Sequence, residues 1–417
     1  MNVQMEGSQA VAEIVARCRP EVIAAYPISP QTHIVERLSR MVAQGEVGQC
    51  QFVNVESEFA ALSVLIGASA SGARTYTATS SQGLLFMAEA VYNAAGLGFP
   101  IVMTIANRAI GAPINIWNDH SDSMALRDAG WIQLFAEHNQ EAVDLHIQAF
   151  RLAEELSCPV MVCMDGYVLT HASEPVDLPD ATQVDTYLPP YQPVQLLDPH
   201  DPVSIGAMVG PDAFAEVKYL AHHQHLQALE LIPELTQAFQ QRFDRPSGGL
   251  CSAYRMEGAD IAVIALGSVI GTIKDAVDEL RQESVAVGCV KIGCYRPFPM
   301  LQLRVLLEGV SRVIVIEKDI AIGVGGIVSA DVQLTLSGRQ IPVHTVIAGL
   351  GGRSISTSST KQVIKEARAE RLTEPHFLDL KRSVVEQELV RRQSTRRAGP
   401  VAEQLLRTMD GIGTKVR

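Results

Sequence analysis

Apolar residues recur at helical spacing over residues 7–18, where Ala10, Val11, Ile14 and Val15 share a face, and they predict an amphipathic helix. A short apolar run at 21–26 (EVIAAY) then predicts a strand that stops abruptly at Pro27-Ile28-Ser29-Pro30. Thr32 is placed to cap a helix running through Arg40. The alternation continues with a strand at 51–55, an Ala-rich helix at 57–71, a strand at 74–79, a helix at 83–95 and a strand at 101–106. A long loop covers 109–127, followed by a helix at 140–156 and a strand at 160–164. Strands and helices alternating at this pitch predict a parallel sheet covered on both faces. Ligands of such sheets sit at the carboxyl ends of the strands. The residues just after each strand therefore carry the candidate chemistry.

After His171 the texture changes. Seven of the 21 prolines fall between Pro175 and Pro202, which predicts an extended connector without helix. Residues 212–243 return to helical periodicity, as one helix or two. A second alternating unit opens near Asp260, with strands at 261–266, 285–292, 313–317 and 342–347 and helices at 269–281, 301–307 and 325–335. The fold class is thus α/β, with a doubly wound unit and its connector at 1–240, a smaller α/β unit at 241–360 and a helix-prone tail at 361–417. From residue 376 the tail holds nine Lys/Arg against five Asp/Glu, in a chain of net charge −12. It reads either as a segment lying on an acidic partner or as a partly disordered end.

Composition narrows the class. With 47% apolar and 19% charged residues, the 417-residue chain can build sizeable cores, and its length suggests roughly three domains. No run approaches the ~18 apolar residues of a membrane span, and the first residues lack the pattern of a secretory signal. The acidic balance argues against nucleic-acid binding. The seven cysteines are scattered and include no CxxC, which suits a reducing cytoplasm and leaves no ferredoxin-type cluster motif on this chain. Cys289 and Cys294 read as core thiols.

Four strand-end loops stand out: Tyr26 to Pro30, Glu56-Ser57-Glu58, Thr79 to Gly83, and Asn107-Arg108. Glu58 precedes an almost uncharged helix, so burial is expected to raise its pKa and let it share a proton with a heterocyclic nitrogen. The plainer reading is a helix N-terminal carboxylate. Arg108 suits a bidentate hold on a carboxylate or a structural ion pair. Ser29 is placed to donate to the same carboxylate or only to local backbone. The TSSQG loop opens a helix and offers N–H groups to an anion, weakly, with its single glycine. Asp119-His120-Ser121-Asp122 with Asp128 matches no metal-ligand spacing and reads as loop-ordering hydrogen bonds, so no metal is assigned to this chain. Gly323-Val324-Gly325-Gly326 lacks the full dinucleotide fingerprint, and a dehydrogenase reading is correspondingly poor.

Taken together, YPISP, ESE, ARTYTATSSQGLLFMAEA, NRAIGAPINIWNDHSDSMALRDAGW, QEAVD, MDGYVLTH, YRPFP and GLGGR resemble the alpha chain of 2-oxoacid:ferredoxin oxidoreductases, the pyruvate:ferredoxin oxidoreductase family, over residues 6–355. The resemblance implies a thiamine diphosphate enzyme, with a pyrimidine-binding first domain and a second domain like the C-terminal domain of transketolase. Glu58 falls on the glutamate that hydrogen-bonds the aminopyrimidine and tunes its tautomer for proton removal from the thiazolium. Arg108 falls on the arginine that binds the substrate carboxylate. Ser29 stands where the family has Thr, and Tyr26, Pro27, Ile28, Ser81 and Gln82 line the cofactor. The implied reaction decarboxylates a 2-oxoacid, passes electrons on singly and gives an acyl group to coenzyme A. Pyruvate is the default substrate, an aryl 2-oxoacid such as phenylglyoxylate the second option, and a non-catalytic scaffold the third reading. The GDG…NN segment that holds Mg2+ and the diphosphate is missing, with Met164-Asp165-Gly166 the only near match. The resemblance therefore assigns Mg2+ and the diphosphate half-site to a beta subunit. It assigns iron–sulfur clusters and the main coenzyme A contacts to gamma- and delta-type subunits, with ferredoxin or an NAD-linked module as acceptor.

Overall fold

The computed structural model describes residues 2–373, 375–394 and 401–409. Its strands assemble into two mainly parallel sheets and a two-stranded ribbon. The first sheet runs in the order Cys294–Arg296, Ile132–Phe135, Val160–Asp165, Val102–Asn107, Thr75–Thr79, Val22–Ala25, Gln51–Asn54, and all pairs are parallel except the one made by Cys294–Arg296. The second runs His376–Phe377, Val343–Ile347, Arg312–Glu317, Ile261–Ala265, Val287–Ile292, Cys251–Tyr254, with only the last antiparallel. Central strands such as Val102–Asn107 and Ile261–Ala265 are buried along their whole length, because crossover helices cover both faces. That is why they read as continuous apolar runs.

The two units share a core. Strand Val287–Ile292 of the second sheet continues through Gly293 into Cys294–Arg296, which pairs with the first sheet, and the Phe135 amide donates to the Gly293 carbonyl at 2.8 Å. A Cβ on Gly293 would lie 2.5 Å from the Gly249 carbonyl oxygen, so only glycine fits this crossing. Met124, Trp131 and Phe135 pack in one apolar cluster with Ile264, Val290 and Tyr295 of the second unit. Burial pushes the Cys289 thiol up to about 12, and all seven cysteines are free, as core thiols should be.

Several expected elements differ. The proline-rich stretch is not uniformly extended. Ser173–Asp177 pairs antiparallel with Asn2–Glu6, and Ala181–Tyr187 forms a helix in the proline-free window between Pro179 and Pro189. Asp180 and Gln183 close a capping box there, so the spacing of the prolines mattered more than their number. Thr32 begins its helix and does not cap it; Gln31 precedes it and spends its amide on the Tyr26 and Ala78 carbonyls. The helix expected at 83–95 breaks at Met87 into Ser81–Phe86 and Ala88–Leu97. Residues 212–243 lie in one helix, Pro211–Phe243, seated through Ala228, Ile232, Leu235 and Phe239 despite Pro233 inside it. The second sheet draws on residues up to Phe377, beyond the expected edge at 360. Of the tail, helices Arg382–Ser394 and Val401–Met409 are described, while residues 395–400 and 410–417 of that expected partner contact lie outside the described residues. Among the described residues no helix is long and apolar enough to cross a membrane.

Candidate active site

The parallel strands of the first sheet release their loops at one edge. The winding direction reverses between Val22–Ala25 and Thr75–Thr79, the switch point where a doubly wound sheet opens a crevice. All four candidate loops meet around it.

Ser57 caps helix Glu58–Ala70 by accepting from the Ala60 amide at 3.2 Å, which fixes Glu58 as the first helical residue. Glu58 is buried, and among the described residues no group hydrogen-bonds its carboxylate. Gly83 lies against it: a Cβ at 83 would come 2.5 Å from Glu58 Oε1 and 2.7 Å from Thr79 Oγ1. Thr79 Oγ1 is itself buried and has no hydrogen-bond partner among the described residues. A carboxylate and a hydroxyl left unsatisfied side by side are costly in a closed core and mark a place for a polar ligand.

Arg108 is buried and makes no ion pair among the described residues, so the structural-salt-bridge reading does not hold. Its Nε donates to the Asn115 carbonyl at 2.8 Å and its Nη1 to the Ser29 carbonyl at 3.0 Å. Two neutral acceptors orient the guanidinium, and among the described residues no carboxylate pairs with it and no group bonds its Nη2. Ser29 thus meets Arg108 through its carbonyl, and its side chain lies on the exposed YPISP turn with Tyr26 and Pro27, while Ile28 is half-buried.

Asp122 joins the loops. One oxygen accepts from the Ser81 and Arg108 amides, both at 2.9 Å, and the other from Asn107 Nδ2 and the Ser123 amide, both at 2.8 Å. Burial pushes its carboxyl up to about 6 against the pull of those donors. The Ser81 amide is therefore taken by a protein carboxylate and does not cradle an anion. Its hydroxyl donates to the Ala109 carbonyl at 2.6 Å, and Ser81 is fully buried beside half-buried Gln82. The Asp119–Asp122 stretch does order its loop, as its spacing suggested: Asp119 accepts from the Ser121 and Gly351 amides, both at 3.0 Å.

Met164-Asp165-Gly166 has a different use from metal binding. Asp165 is buried; its Oδ1 lies 2.7 Å from His120 Nε2, and its Oδ2 accepts from Lys318 Nζ at 2.9 Å and from the Ser268 amide at 3.1 Å. Burial opposes the charge, but Lys318 and His120 outweigh it and hold this carboxyl well below the usual carboxylate range. Ser268 and Lys318 follow Ile261–Ala265 and Arg312–Glu317, between which the second sheet reverses its own winding. The second unit thus fills its own switch point with the first unit's aspartate. Its glycine turn is filled as well. Glu317 accepts from the Ile327 and Val328 amides, both at 2.7 Å, at the start of helix Val328–Thr335. An internal carboxylate occupies the position a dinucleotide phosphate would need.

Comparison with known proteins finds relatives of both units. A family model described as pyruvate flavodoxin/ferredoxin oxidoreductase, thiamine diphosphate-binding, matches residues 13–237, and one described as pyruvate:ferredoxin oxidoreductase core domain II matches residues 259–370. The pyruvate synthase subunit PorA of Methanosarcina barkeri is 47% identical over 393 residues, covering 92% of this chain and 98% of that protein. The chain belongs to the pyruvate:ferredoxin oxidoreductase family. The ketoisovalerate oxidoreductase subunit VorA of Pyrococcus abyssi is 37% identical over 87% of this chain and 93% of its own length. A 2-oxoglutarate:ferredoxin oxidoreductase from Magnetococcus marinus, solved with 2-oxoglutarate, coenzyme A and succinyl-CoA, shares the fold at a TM-score of 0.67 and 20% identity, over 88% of this chain and 65% of that one.

In this pyruvate:ferredoxin oxidoreductase chain, the residues that sequence reasoning passed over are the anchors. Asp122 and Asp165 stood in segments already singled out, but nothing local distinguished them from neighbouring acids. The visible signal for Lys318 was a charged triplet, Glu317-Lys318-Asp319, ending an otherwise apolar strand.

Proposed function

We propose that this chain is the alpha subunit of a thiamine diphosphate-dependent, coenzyme A-acylating 2-oxoacid:ferredoxin oxidoreductase, with pyruvate as its substrate. Residues 1–240 hold the pyrimidine half of the cofactor site, and residues 241–360 brace it. The observation that carries this reading is the partnerless buried pair Glu58 and Thr79, two loops away from a guanidinium held only by carbonyls. These donor groups fit an aminopyrimidine beside a small anionic substrate. When bound, thiamine diphosphate supplies the carbon acid and electron sink that decarboxylation needs. Glu58 holds a proton at the pyrimidine ring nitrogen. Arg108 grips the substrate carboxylate, with Ser29 beside it. Tyr26, Pro27, Ile28 and Gln82 shape the wall, and Asp122 keeps the Arg108 and Ser81 loops in register.

The half-site needs a second subunit. Exposed Phe59 and Phe86 flank Glu58 and Gln82, and exposed Ile114 and Trp117 lie beyond Arg108, an apolar rim suited to a beta subunit that brings Mg2+ and the diphosphate contacts. Further subunits carry the clusters and the main coenzyme A contacts. The higher identity to the pyruvate synthase subunit supports pyruvate over a branched 2-oxoacid.

Equilibrium dialysis and steady-state assays test this reading. The purified chain alone is expected to retain no thiamine diphosphate and to oxidise no 2-oxoacid, whereas the assembled enzyme should show its highest kcat/KM with pyruvate among pyruvate, phenylglyoxylate and 2-oxoglutarate. Cofactor retention or turnover by the single chain would overturn the half-site. A phenylglyoxylate preference would overturn the substrate.

A further inference from the structure

Outside the crevice, three potential metal ligands converge from segments far apart in sequence. Glu6 ends strand Asn2–Glu6, opposite Ser173 in the ribbon. The Gly7 amide donates to the Ala172 carbonyl at 3.0 Å and the Ser8 amide to the Thr170 carbonyl at 2.9 Å, which fixes Glu6 beside His171. His33 lies in the first turn of helix Thr32–Ala43, whose entry is anchored by buried Gln31. His33 Nδ1 lies 2.6 Å from Glu6 Oε1, and the His33 and His171 rings are 4.8 Å apart. One ring nitrogen of each histidine and one Glu6 oxygen lie within 4.8 Å of one another.

An ordinary hydrogen bond accounts for Glu6 and His33 but not for the second imidazole. Stacking two imidazoliums would be repulsive. His171 Nδ1 is 2.8 Å from Thr170 Oγ1, the kind of second hydrogen bond that orients a metal-bound imidazole and leaves Nε2 for the ion. Metal–ligand bonds of about 2.0–2.1 Å put tetrahedral donor atoms roughly 3.3 Å apart, a spacing these side chains reach by small rotations. Two imidazoles and one carboxylate suit zinc and its neighbours and not Mg2+ or Ca2+.

We propose that Glu6, His33 and His171 form a binding site for one divalent transition-metal ion of the zinc type. Its place is the rim of the crevice: His33 is four residues beyond Ser29, and Tyr167, stacked on His171 at 4.6 Å, packs on Trp117 at 5.0 Å. A bound ion pins the N-terminal strand, the helix after YPISP and the segment after Asp165 to one another. Binding to the native state alone also stabilises it.

The test is equilibrium dialysis of the assembled enzyme against zinc chloride in Mg2+ buffer, with zinc counted per alpha chain by mass spectrometry. Wild type is compared with His33→Ala, His171→Ala and Glu6→Gln, so that zinc held by partner thiolates cancels. His33 and His171 are exposed and Glu6 is half-buried, and His171→Gln gives a second, milder test at that position. The expected result is one zinc equivalent in wild type, bound at least tenfold more weakly by each variant. Equal zinc uptake by wild type and variants would overturn the site and leave Glu6 and His33 as a hydrogen-bonded pair.

Discussion

Glu58→Gln in the assembled enzyme is expected to lower kcat for pyruvate oxidation by about 10²–10⁴-fold, the usual contribution of a positioned proton-transfer group. The substitution keeps the shape of the side chain against Gly83, where there is no spare room, and removes the ability to hold and release a proton. Subunit assembly and iron–sulfur content should be unchanged, because no protein group among the described residues depends on the Glu58 carboxylate. Glu58→Ala should give the same loss with an added void. Stopped-flow and steady-state assays with an artificial one-electron acceptor read the effect without involving ferredoxin docking. Turnover unchanged in both variants would favour a scaffold role.

Lys318→Met should have the largest effect on stability. It leaves the Asp165 carboxylate buried at the junction of the two units with only His120 and Ser268 beside it. Removing one partner of a buried pair costs about 3–5 kcal/mol, far more than the 0–1 kcal/mol of an exposed pair. The double variant Lys318→Met with Asp165→Asn should recover part of that loss, since no unpaired charge remains. The pH dependence follows from the depressed Asp165 pKa. A carboxyl that ionises more readily folded than unfolded contributes stability above its unfolded pKa of about 3.9 and loses it as pH falls through the folded value. Wild type should therefore lose stability on acidification more steeply than the double variant. Urea unfolding of the alpha chain as a function of pH, followed by tryptophan fluorescence, measures both effects through Trp131 in the shared core.

The sequence showed the layers better than the joints. Strands such as 102–107 and 261–265 were legible because burial on both faces demands an unbroken apolar run. Glu58 stood out at the head of an uncharged helix, but position alone favoured a plain helix N-terminal carboxylate, and its cofactor role came from the family resemblance. What escaped detection was long-range pairing. Asp165 meets Lys318 across 153 residues, and no periodicity encodes which of many acids finds which lysine. The crossing of Cys294–Arg296 into the other sheet is too short to have a period at all. The connector shows the reverse error, where counting prolines hid a capped helix lying between them.

The most direct test of the central claim is a structure of the complete enzyme with thiamine diphosphate and a 2-oxoacid bound. The expected result places the Glu58 carboxylate about 2.6–3.0 Å from the pyrimidine ring nitrogen and Arg108 on the substrate carboxylate, with the diphosphate and its Mg2+ on the neighbouring subunit. A pyrimidine ring seated away from Glu58, or a diphosphate held by this chain, would contradict it.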